Sequence, residues 1–391
     1  MESQKVCIIG GGLTGLITAT VLSRLNLKID LFASNYNKKI KSNRTTAISE
    51  ENYNYLKKLK IFQSSKKEFW PCSNIELYSV DSGEKFNKIL EFNNNKNKKK
   101  QLLYMMDNSI FVKSLIRAIK KNNLITFKNN YKVHKILTLE SLKILKSNKR
   151  DDSKYNLVII CTGGNSNLTK SIFHNQTFTH SYDEISVNTI LKHNYLKNNV
   201  ARQIFFDDEI LALLPISNTK TSVVWSLKKS LFKKYKNNSL LKYKLLLHTN
   251  SFLKKTEFIS KLEFKDLNFV IKKKYFKDRM LLFGDSLHVV HPLVGQGFNM
   301  VIRDLISLEK ILKNKVSLGL DIGSDDILSA LSNEIKPQNF AYSLGIDFLK
   351  KGFSFKGRTL KEIRNKIISL FNKNNFLKSL FFNFADKGLK F

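Results

Sequence analysis

Cysteine is scarce in this chain, and the few cysteines form no pattern. Only Cys7, Cys72 and Cys161 occur among the 391 residues. Their odd number and wide spacing fit neither a disulfide framework nor a zinc knuckle. The sequence therefore predicts a protein of a reducing compartment.

Long hydrophobic runs are also lacking. No stretch of 18 or more apolar residues occurs, so the sequence predicts no transmembrane helix. Residues 1–5 lead directly into an apolar strand pattern and predict no secretory signal. At about 150 residues per domain, the length is that of two to three domains with a sizeable core.

Acidic residues are few, with 32 Asp and Glu against 67 Lys and Arg, a formal net charge of +35. Such a charge would suit a nucleic-acid binder. However, only nine of the basic residues are arginine, the side chain best suited to reading bases and phosphates. We therefore attribute the excess to a lysine- and asparagine-rich composition and predict no nucleic-acid partner. Diffuse positive charge also favours an anionic membrane surface.

The N-terminal stretch predicts a βαβ unit with a glycine-rich turn. Residues 6–9 are a continuous apolar run, typical of a strand buried on both faces, and residues 16–27 predict a helix. The glycines between them allow a tight turn, close approach of a pyrophosphate and close packing of helix on strand. The alternative is a tight turn without a ligand. The predicted dinucleotide-binding residues are Gly10, Gly12, Leu13 and Gly15.

The pattern changes in the second half of the chain. Residues 202–227 alternate as short strands with polar turns and predict an antiparallel sheet in a separate layer. Residues 228–261 predict a basic helical segment. Further buried strands are predicted at 157–160 and 279–283.

A second glycine-rich motif follows the strand predicted at 279–283. Residues 284–299 read Gly-Asp-Ser-Leu-His-Val-Val-His-Pro-Leu-Val-Gly-Gln-Gly-Phe-Asn. The motif resembles the GD-box of flavin-dependent aromatic hydroxylases. The residue types agree with this resemblance, since an aspartate at a strand end can bind ribitol hydroxyls and a glycine-rich turn before a helix can bring backbone amides to a flavin ring. The His-Pro-x-x-Gly-Gln-Gly-x-Asn form of the motif resembles the UbiH/UbiF/UbiI group, which hydroxylates polyprenyl phenols in ubiquinone biosynthesis.

Other segments carry the same resemblance, in the same order, from residue 5 to about residue 384. Residues 43–49 resemble the group's Arg-x-x-Ala-Leu-Ser segment, and residues 210–226 resemble its LALLPL…VW hairpin, which roofs the substrate. Asp304 matches another recurring position. The resemblance implies that FAD is bound by Arg44, Asp285, Pro292, Gly295, Gln296, Gly297 and Asn299, and that the substrate is lined by Leu213, Pro215, Trp225 and His291.

The resemblance also implies an α/β fold of the para-hydroxybenzoate hydroxylase type. A Rossmann-like FAD-binding domain would be joined by an antiparallel sheet for the substrate and by a C-terminal helical segment. The predicted divisions are residues 1–70, 101–170 and 275–340 for the FAD-binding domain, residues 71–100 and 171–274 for the sheet, and residues 341–391 for the helical segment.

The implied activity is ring hydroxylation by an FAD monooxygenase that takes electrons from NAD(P)H. Reduced FAD and O2 give a C4a-hydroperoxide, and the phenol ring takes its distal oxygen, while the protein supplies position and shielding from water. No side chain can be named as a catalytic base from the sequence. Two alternatives stay open: another flavoprotein of this fold, such as a prenyl reductase, and a non-catalytic subunit of a ubiquinone-biosynthesis complex.

Two acids expected in the family are missing. Ala33 stands where a carboxylate would accept the ribose hydroxyls. Thr162 replaces an aspartate that the family links to both the flavin and the pyridine nucleotide, and Thr169 replaces the arginine that follows. The use of NAD(P)H is therefore open at this point.

Two remaining features concern metals and membranes. His288 and His291 are three residues apart, but no third ligand is suitably spaced, so we predict no metal site. Leu377, Leu380 and Phe384 lie on one stripe of a basic amphipathic helix, which suits either a membrane surface or the body of the protein. We predict a cytoplasmic protein that is peripheral to the inner membrane.

Overall fold

The computed structural model describes residues 4–35, 42–62, 68–80, 85–93, 101–164, 166–173, 177–235, 237–295 and 297–353. Within these ranges the helices are α1 (Leu13–Leu22), α2 (Glu50–Lys58), α3 (Asn108–Lys120), α4 (Asn167–Ile172), α5 (Lys229–Lys234), α6 (Asn238–Thr249), α7 (Gly297–Ser317) and α8 (Asp325–Phe353). The strands are β1 (Lys5–Ile9), β2 (Lys28–Ala33), β3 (Thr45–Ser49), β4 (Trp70–Cys72), β5 (Asn74–Val80), β6 (Phe86–Asn93), β7 (Leu103–Asp107), β8 (Ile125–Asn129), β9 (Val133–Leu139), β10 (Leu142–Ser147), β11 (Leu157–Ile160), β12 (Thr177–Lys192), β13 (Val200–Phe205), β14 (Glu209–Ser217), β15 (Lys220–Lys228), β16 (Glu257–Phe258), β17 (Glu263–Lys272), β18 (Phe276–Lys277), β19 (Met280–Leu282) and β20 (His288–Val289).

A mainly parallel sheet with the strand order β18-β19-β11-β1-β2-β8 forms one layer. The apolar runs at 6–9 and 157–160 are its central strands and are buried along their whole length. Both runs lack polar alternation because each of their faces is covered. The strands predicted at 6–9, 157–160 and 279–283 are confirmed, and β18 alone pairs antiparallel within this sheet.

Helix α1 crosses this sheet and packs against both α3 and α7. All of its side chains from Gly15 to Leu22 are buried. The helix ends earlier than the predicted residue 27, since a single 3₁₀ turn follows and Asn26 takes a left-handed conformation with φ 58°. Such a residue stops an α-helix and turns the chain into β2.

A second, mainly antiparallel sheet has the strand order β20-β17-β12-β15-β14-β13-β5-β6, with β16 beside β12. The predicted antiparallel strands over 202–227 are confirmed as β13, β14 and β15. The helical prediction for 228–261 was wrong in its extent. Asn237 caps a new helix, α6, through its side chain, and residues 257–258 form β16 instead.

The inner face of the second sheet turns toward the parallel layer. We define this inner face by Ala212 and Leu214 of β14, which pack in one cluster with Ala47 of β3 and Met300 of α7. A small antiparallel sheet of β3, β7 and β4 joins the two layers. The α/β fold with an antiparallel second sheet is thus as predicted, while the division into domains stays a prediction.

No helix in the described part of the chain is both long enough and apolar enough to span a bilayer. The predicted amphipathic stripe at 377–384 lies outside the described residues.

Candidate functional site

Three loops meet at one edge of the parallel sheet. Gly10 follows β1, Cys161 follows β11 and Gly284 follows β19, and these strands are neighbours. Because parallel strands end at the same edge, their carboxyl-terminal loops form a common crevice, which is where open α/β sheets bind ligands.

The glycine loop fills part of this crevice with backbone alone. Gly10 has φ 132°, and a Cβ atom there would lie 2.3 Å from the Cys161 carbonyl oxygen. A Cβ atom on Gly15 would lie 1.9 Å from the Gly10 carbonyl oxygen. These two glycines are therefore required by the packing of the chain on itself, as the sequence predicted for a tight turn and for close packing of helix on strand.

Gly12 differs from its two neighbours in the motif. A Cβ atom on Gly12 would meet no atom within 4 Å, and its backbone is extended, with φ −77° and ψ 178°. Nothing in the fold requires a glycine there. The open space faces the first turn of α1, whose free N–H groups attract anions.

Asp285 lies beside the glycine loop in the turn Gly284–Ser286. Gly284 has φ 63°, and a Cβ atom there would lie 2.5 Å from the Thr14 side chain, so this turn and the start of α1 are in contact. The Asp285 carboxylate is exposed at the crevice. Ser286 is buried and accepts a hydrogen bond from the Gly163 N–H at 3.1 Å, which joins this turn to the loop after β11.

The turn Leu293–Gly295 forms the side of the crevice nearest the second sheet. Gly295 has φ 65°, and a Cβ atom there would lie 3.0 Å from the Ala47 Cβ atom. Pro292 precedes this turn and is half-buried. Gly297 begins α7, whereas Gln296 lies outside the described residues.

Asn299 lies behind this turn rather than in the crevice. Its Oδ1 accepts the Ser49 N–H at 3.0 Å and the Asn52 amide at 2.9 Å, while its Nδ2 donates to the Ala47 carbonyl at 3.0 Å. The residue is completely buried. These side-chain contacts hold α7 to β3, and a direct contact of Asn299 with the cofactor stays a prediction.

Two of the predicted substrate residues lie on the wrong face of the second sheet. Leu213 and Trp225 pack in a cluster with Leu241 and Leu245 of α6, on the outer face. The hairpin was correctly predicted, but residues that alternate along a strand face opposite sides. Pro215 lies two residues after Leu213 on β14, which places it on the same face of the sheet, and it is buried. The inner-face residues of this hairpin are Ile210, Ala212, Leu214 and Val224.

A sequence profile described as FAD binding domain matches residues 3–319 of the chain. The chain belongs to this FAD-binding family. Membership fits the crevice, where Gly12 leaves open space at a helix N-terminus and the exposed Asp285 carboxylate lies close by.

Relatives and solved structures of similar fold extend this finding. The chain is 25% identical to the ubiquinone biosynthesis monooxygenase COQ6 of Dictyostelium discoideum, over 96% of this chain and 89% of that protein. It is 28% identical to human COQ6, over 59% of this chain and 57% of that protein. The crystal structure of p-nitrophenol 4-monooxygenase PnpA from Pseudomonas putida DLL-E4 superposes with a TM-score of 0.81 at 14% identity and covers both chains completely. The fold predicted from the sequence is thereby confirmed.

Arg44 is the predicted FAD-binding arginine. It immediately precedes β3, and its side chain is 41% exposed. Its Nε atom is 3.8 Å from a carboxylate oxygen of Glu263 in β17. The pair is long and partly exposed to solvent, so it contributes little to stability.

The residues at the positions where the family's charged groups were expected contact each other or the glycine loop. The Thr162 hydroxyl lies 3.2 Å from the Thr169 hydroxyl, so a neutral hydrogen bond joins these two positions. Ala33 is buried beneath the glycine loop, and a Cβ atom on Gly11 would lie 2.5 Å from the Ala33 Cβ atom. A larger side chain at position 33 would have to turn away from Gly11.

The two motif histidines are each paired with a buried acid. His288 Nε2 lies 3.1 Å from an Asp304 oxygen, and Asn339 donates to both oxygens of that carboxylate. His291 Nε2 lies 2.9 Å from a Glu184 oxygen. Sequence reasoning missed Glu184, because nothing near it in the chain marks it.

Proposed function

We propose that this protein is an FAD-dependent monooxygenase that hydroxylates the aromatic ring of a polyprenyl phenol in ubiquinone biosynthesis, with NAD(P)H as the electron donor. The observation that carries the proposal is the crevice itself, where Gly12 leaves open space at the N-terminus of α1 and the turn Gly284–Ser286 lies against Thr14. The turn Leu293–Gly295 packs on Ala47, in one cluster with the inner face of the second sheet. Relatives named as ubiquinone biosynthesis monooxygenases support the choice of pathway.

The chain's own residues bind, orient and exclude water. The N-terminus of α1 would hold the pyrophosphate, and Asp285 would accept ribityl hydroxyls. Pro292 and Gly295 would flank the flavin ring, while Ala212 and Val224 would keep water from the substrate ring. Bound FAD supplies the redox chemistry and the activation of O2.

An open apolar groove supports a substrate with a long hydrocarbon chain. It has a volume of about 340 Å³ and runs between the second sheet and α8. Val290 packs on two apolar clusters. One contains the groove residue Phe269, and the other contains Ala47 beside the turn Leu293–Gly295. Apolar contacts therefore continue from the groove to the crevice. The apolar lining of the groove is Phe178, Phe269, Ile271, Phe340 and Leu344.

Exposed rings on α8 and at the groove support attachment to an anionic membrane surface. Phe348 of α8 is 76% exposed and the groove residue Phe178 is 49% exposed. Lys273 lies over the Phe178 ring, and the exposed Lys351 follows Phe348 by three residues on α8. Exposed apolar rings with lysines nearby are typical of proteins that lie on anionic lipid.

Phe348→Ser is expected to weaken binding to phosphatidylglycerol-containing vesicles about tenfold, since burying a phenylalanine contributes at least about 1.5 kcal/mol. Vesicle flotation measures the effect. Tyr195→Ser is the matched control, because Tyr195 is also 76% exposed but lies in the loop between β12 and β13 instead of on α8, which lines the groove through Phe340 and Leu344. Equal losses from both variants would contradict this surface.

The activity is tested with the purified, FAD-loaded protein, a polyprenyl phenol in detergent and ¹⁸O₂. One labelled oxygen in the ring of the product supports the proposal. Saturation of the prenyl chain without oxygen uptake would show a prenyl reductase instead. Anaerobic addition of NADH or NADPH tests the donor: bleaching of the flavin band supports NAD(P)H, while an unchanged band with turnover from chemically reduced flavin indicates a separate reductase. A bound flavin that gives no product with any donor would indicate a non-catalytic subunit.

A further inference from the structure

Helix α8 forms one wall of the apolar groove with four residues of a single helix face. These residues are Phe340, Leu344, Asp347 and Lys351, which follow each other at intervals of three or four positions. At about 1.5 Å per residue, the apolar part of this wall, from Phe340 to Asp347, is about 10 Å long. The groove volume of about 340 Å³ corresponds to about eleven groups of the size of a water molecule, at about 30 Å³ each. A methylene group has a similar size, so the groove has room for about two five-carbon isoprene units.

The two ends of the groove differ in their lining. At one end the ring centroids of Phe178 and Phe340 lie 6.4 Å apart, and these residues are 49% and 43% exposed. At the other end one Asp347 oxygen lies 3.3 Å from His180 Nε2, and the second lies 2.8 Å from Lys351 Nζ. The first end is therefore apolar and open to solvent, whereas the second is polar and ties α8 to β12.

The polar end is the one nearer to the flavin crevice. Lys350 of α8 pairs with Glu184 of β12 at 2.7 Å, and Glu184 pairs with His291 in the turn before α7 at 2.9 Å. Phe178 lies six residues before Glu184 on the same strand, which is at most about 20 Å in an extended chain. A hydrocarbon chain that enters the groove from the crevice therefore leaves the protein at the open end.

The open end borders the surface proposed for the membrane. Lys273 lies 4.3 Å from the centroid of the Phe178 ring, and Phe348, one turn after Leu344 on α8, is 76% exposed. On the crevice side, Val290 packs on the cluster that contains the groove residue Phe269. The apolar path therefore starts beside the crevice, passes Val290 and ends where lipid would begin.

We propose that the groove binds only the first isoprene units of the substrate and leaves the rest of the chain in the bilayer. This inference rests on the proposed function. One unit would pass Val290 and about two would fill the groove, so binding requires a chain of about three units and does not discriminate among longer chains. Leu344 lies in the middle of the α8 wall and is the residue that sets this requirement. The full length of the chain is then decided by the prenyl-transfer reaction that attaches it to the ring.

Leu344→Trp tests the groove by filling its middle. The FAD-loaded full chain is titrated in detergent with phenols that carry zero to five isoprene units, and the change in the flavin absorption band reports binding. Detergent takes up the longer chains, so each dissociation constant is divided by that of the wild type at the same chain length. We expect a ratio near one without a chain. From three units onward the ratio should be about tenfold, the loss expected when about two methylene groups are no longer buried, and it should stay constant up to five units.

Leu240→Trp is the matched control. Leu240 lies on α6 and is 43% exposed, while Leu344 is 44% exposed, so both positions accept a larger side chain at a helix surface. The control ratio should stay near one at every chain length. Phe178→Ser is the second variant and removes the wall at the open end. It should weaken binding only of phenols with about three or more units, and this result holds even where Leu344→Trp does not fold.

Three results with folded Leu344→Trp protein would overturn the inference. A loss of affinity without any chain would place Leu344 at the ring instead, and a ratio that keeps rising up to five units would show that the whole chain is measured. A ratio of one at every length, with weaker binding of lysophosphatidylglycerol, would assign the groove to a membrane lipid. The proposed function fails separately, since the expected pattern without incorporation of labelled oxygen refutes the hydroxylase and leaves the groove assignment supported.

Discussion

Gly12→Val is expected to weaken FAD binding at least about 100-fold while leaving the apoprotein folded. A Cβ atom at position 12 meets nothing within 4 Å in the protein, and the extended backbone accepts any residue. The valine methyl groups would instead occupy the space into which a pyrophosphate must come to reach the amides of α1. Titration of the apoprotein with FAD, followed by flavin fluorescence, measures the loss. Urea unfolding should show a change in stability below about 1 kcal/mol.

Two other glycines separate this effect from general damage. Gly352→Val near the end of α8 is the matched control, because a Cβ atom there also meets nothing within 4 Å but lies outside the crevice. It should bind FAD like the wild type. Gly15→Ala should unfold the protein instead, since its Cβ atom would lie 1.9 Å from a backbone oxygen. Unchanged FAD affinity in Gly12→Val would refute the placement of the pyrophosphate.

Asn299→Ala is expected to destabilise the protein by about 3 kcal/mol. The change would remove the hydrogen bonds of Asn299 with the Ser49 N–H, the Asn52 amide and the Ala47 carbonyl, and each such buried hydrogen bond contributes about 0.5–1.5 kcal/mol. Urea unfolding of the apoprotein measures the effect without any contribution from the cofactor.

Asn54→Ala is the control for this substitution. Asn54 lies on α2, two residues after Asn52, and is exposed with one long hydrogen bond to Glu50. Its removal should change stability by less than about 0.5 kcal/mol. A stability loss that appears only in the FAD-loaded form of Asn299→Ala would support Asn299 as a direct cofactor ligand.

The sequence was sufficient to predict those strands, helices and turns that depend only on residues close together in the chain. The strand before Gly10 and the helix after it follow from uninterrupted apolar runs, and the turn between them follows from three glycines. The motif from 284 to 299 was likewise readable as a turn that leads into a helix. The structure places both beside one another because their strands end at the same edge of one sheet.

The face of a strand could not be predicted in the same way. Residues 210–216 are apolar at nearly every position, so the alternation that distinguishes a buried inner face from a buried outer face is absent. Leu213 and Trp225 were assigned to the substrate by resemblance of the whole segment. Which face meets the crevice is decided by α6, which covers the outer one.

Contacts between segments that are distant in the sequence could not be predicted either. Glu184 lies 107 residues before His291 and 166 before Lys350, and each is an ordinary charged or polar residue within its own stretch of sequence. Only the packing of α8 on the second sheet brings them together. The sequence thus indicated a histidine in a notable motif, but not the carboxylate that orients it.

The contact of Asn299 with Ser49 has a consequence for biosynthesis. A ribosome that has finished the glycine loop, β2 and β3 has still to make 250 residues before Asn299 can reach Ser49. The neighbours of β1 in the sheet, β11 and β19, are completed in between. A topology with such distant contacts folds slowly, and strands that are exposed before their partners are synthesised can aggregate. Cofactor loading must therefore come after nearly all of the described chain has emerged, and free FAD can act only on that late step.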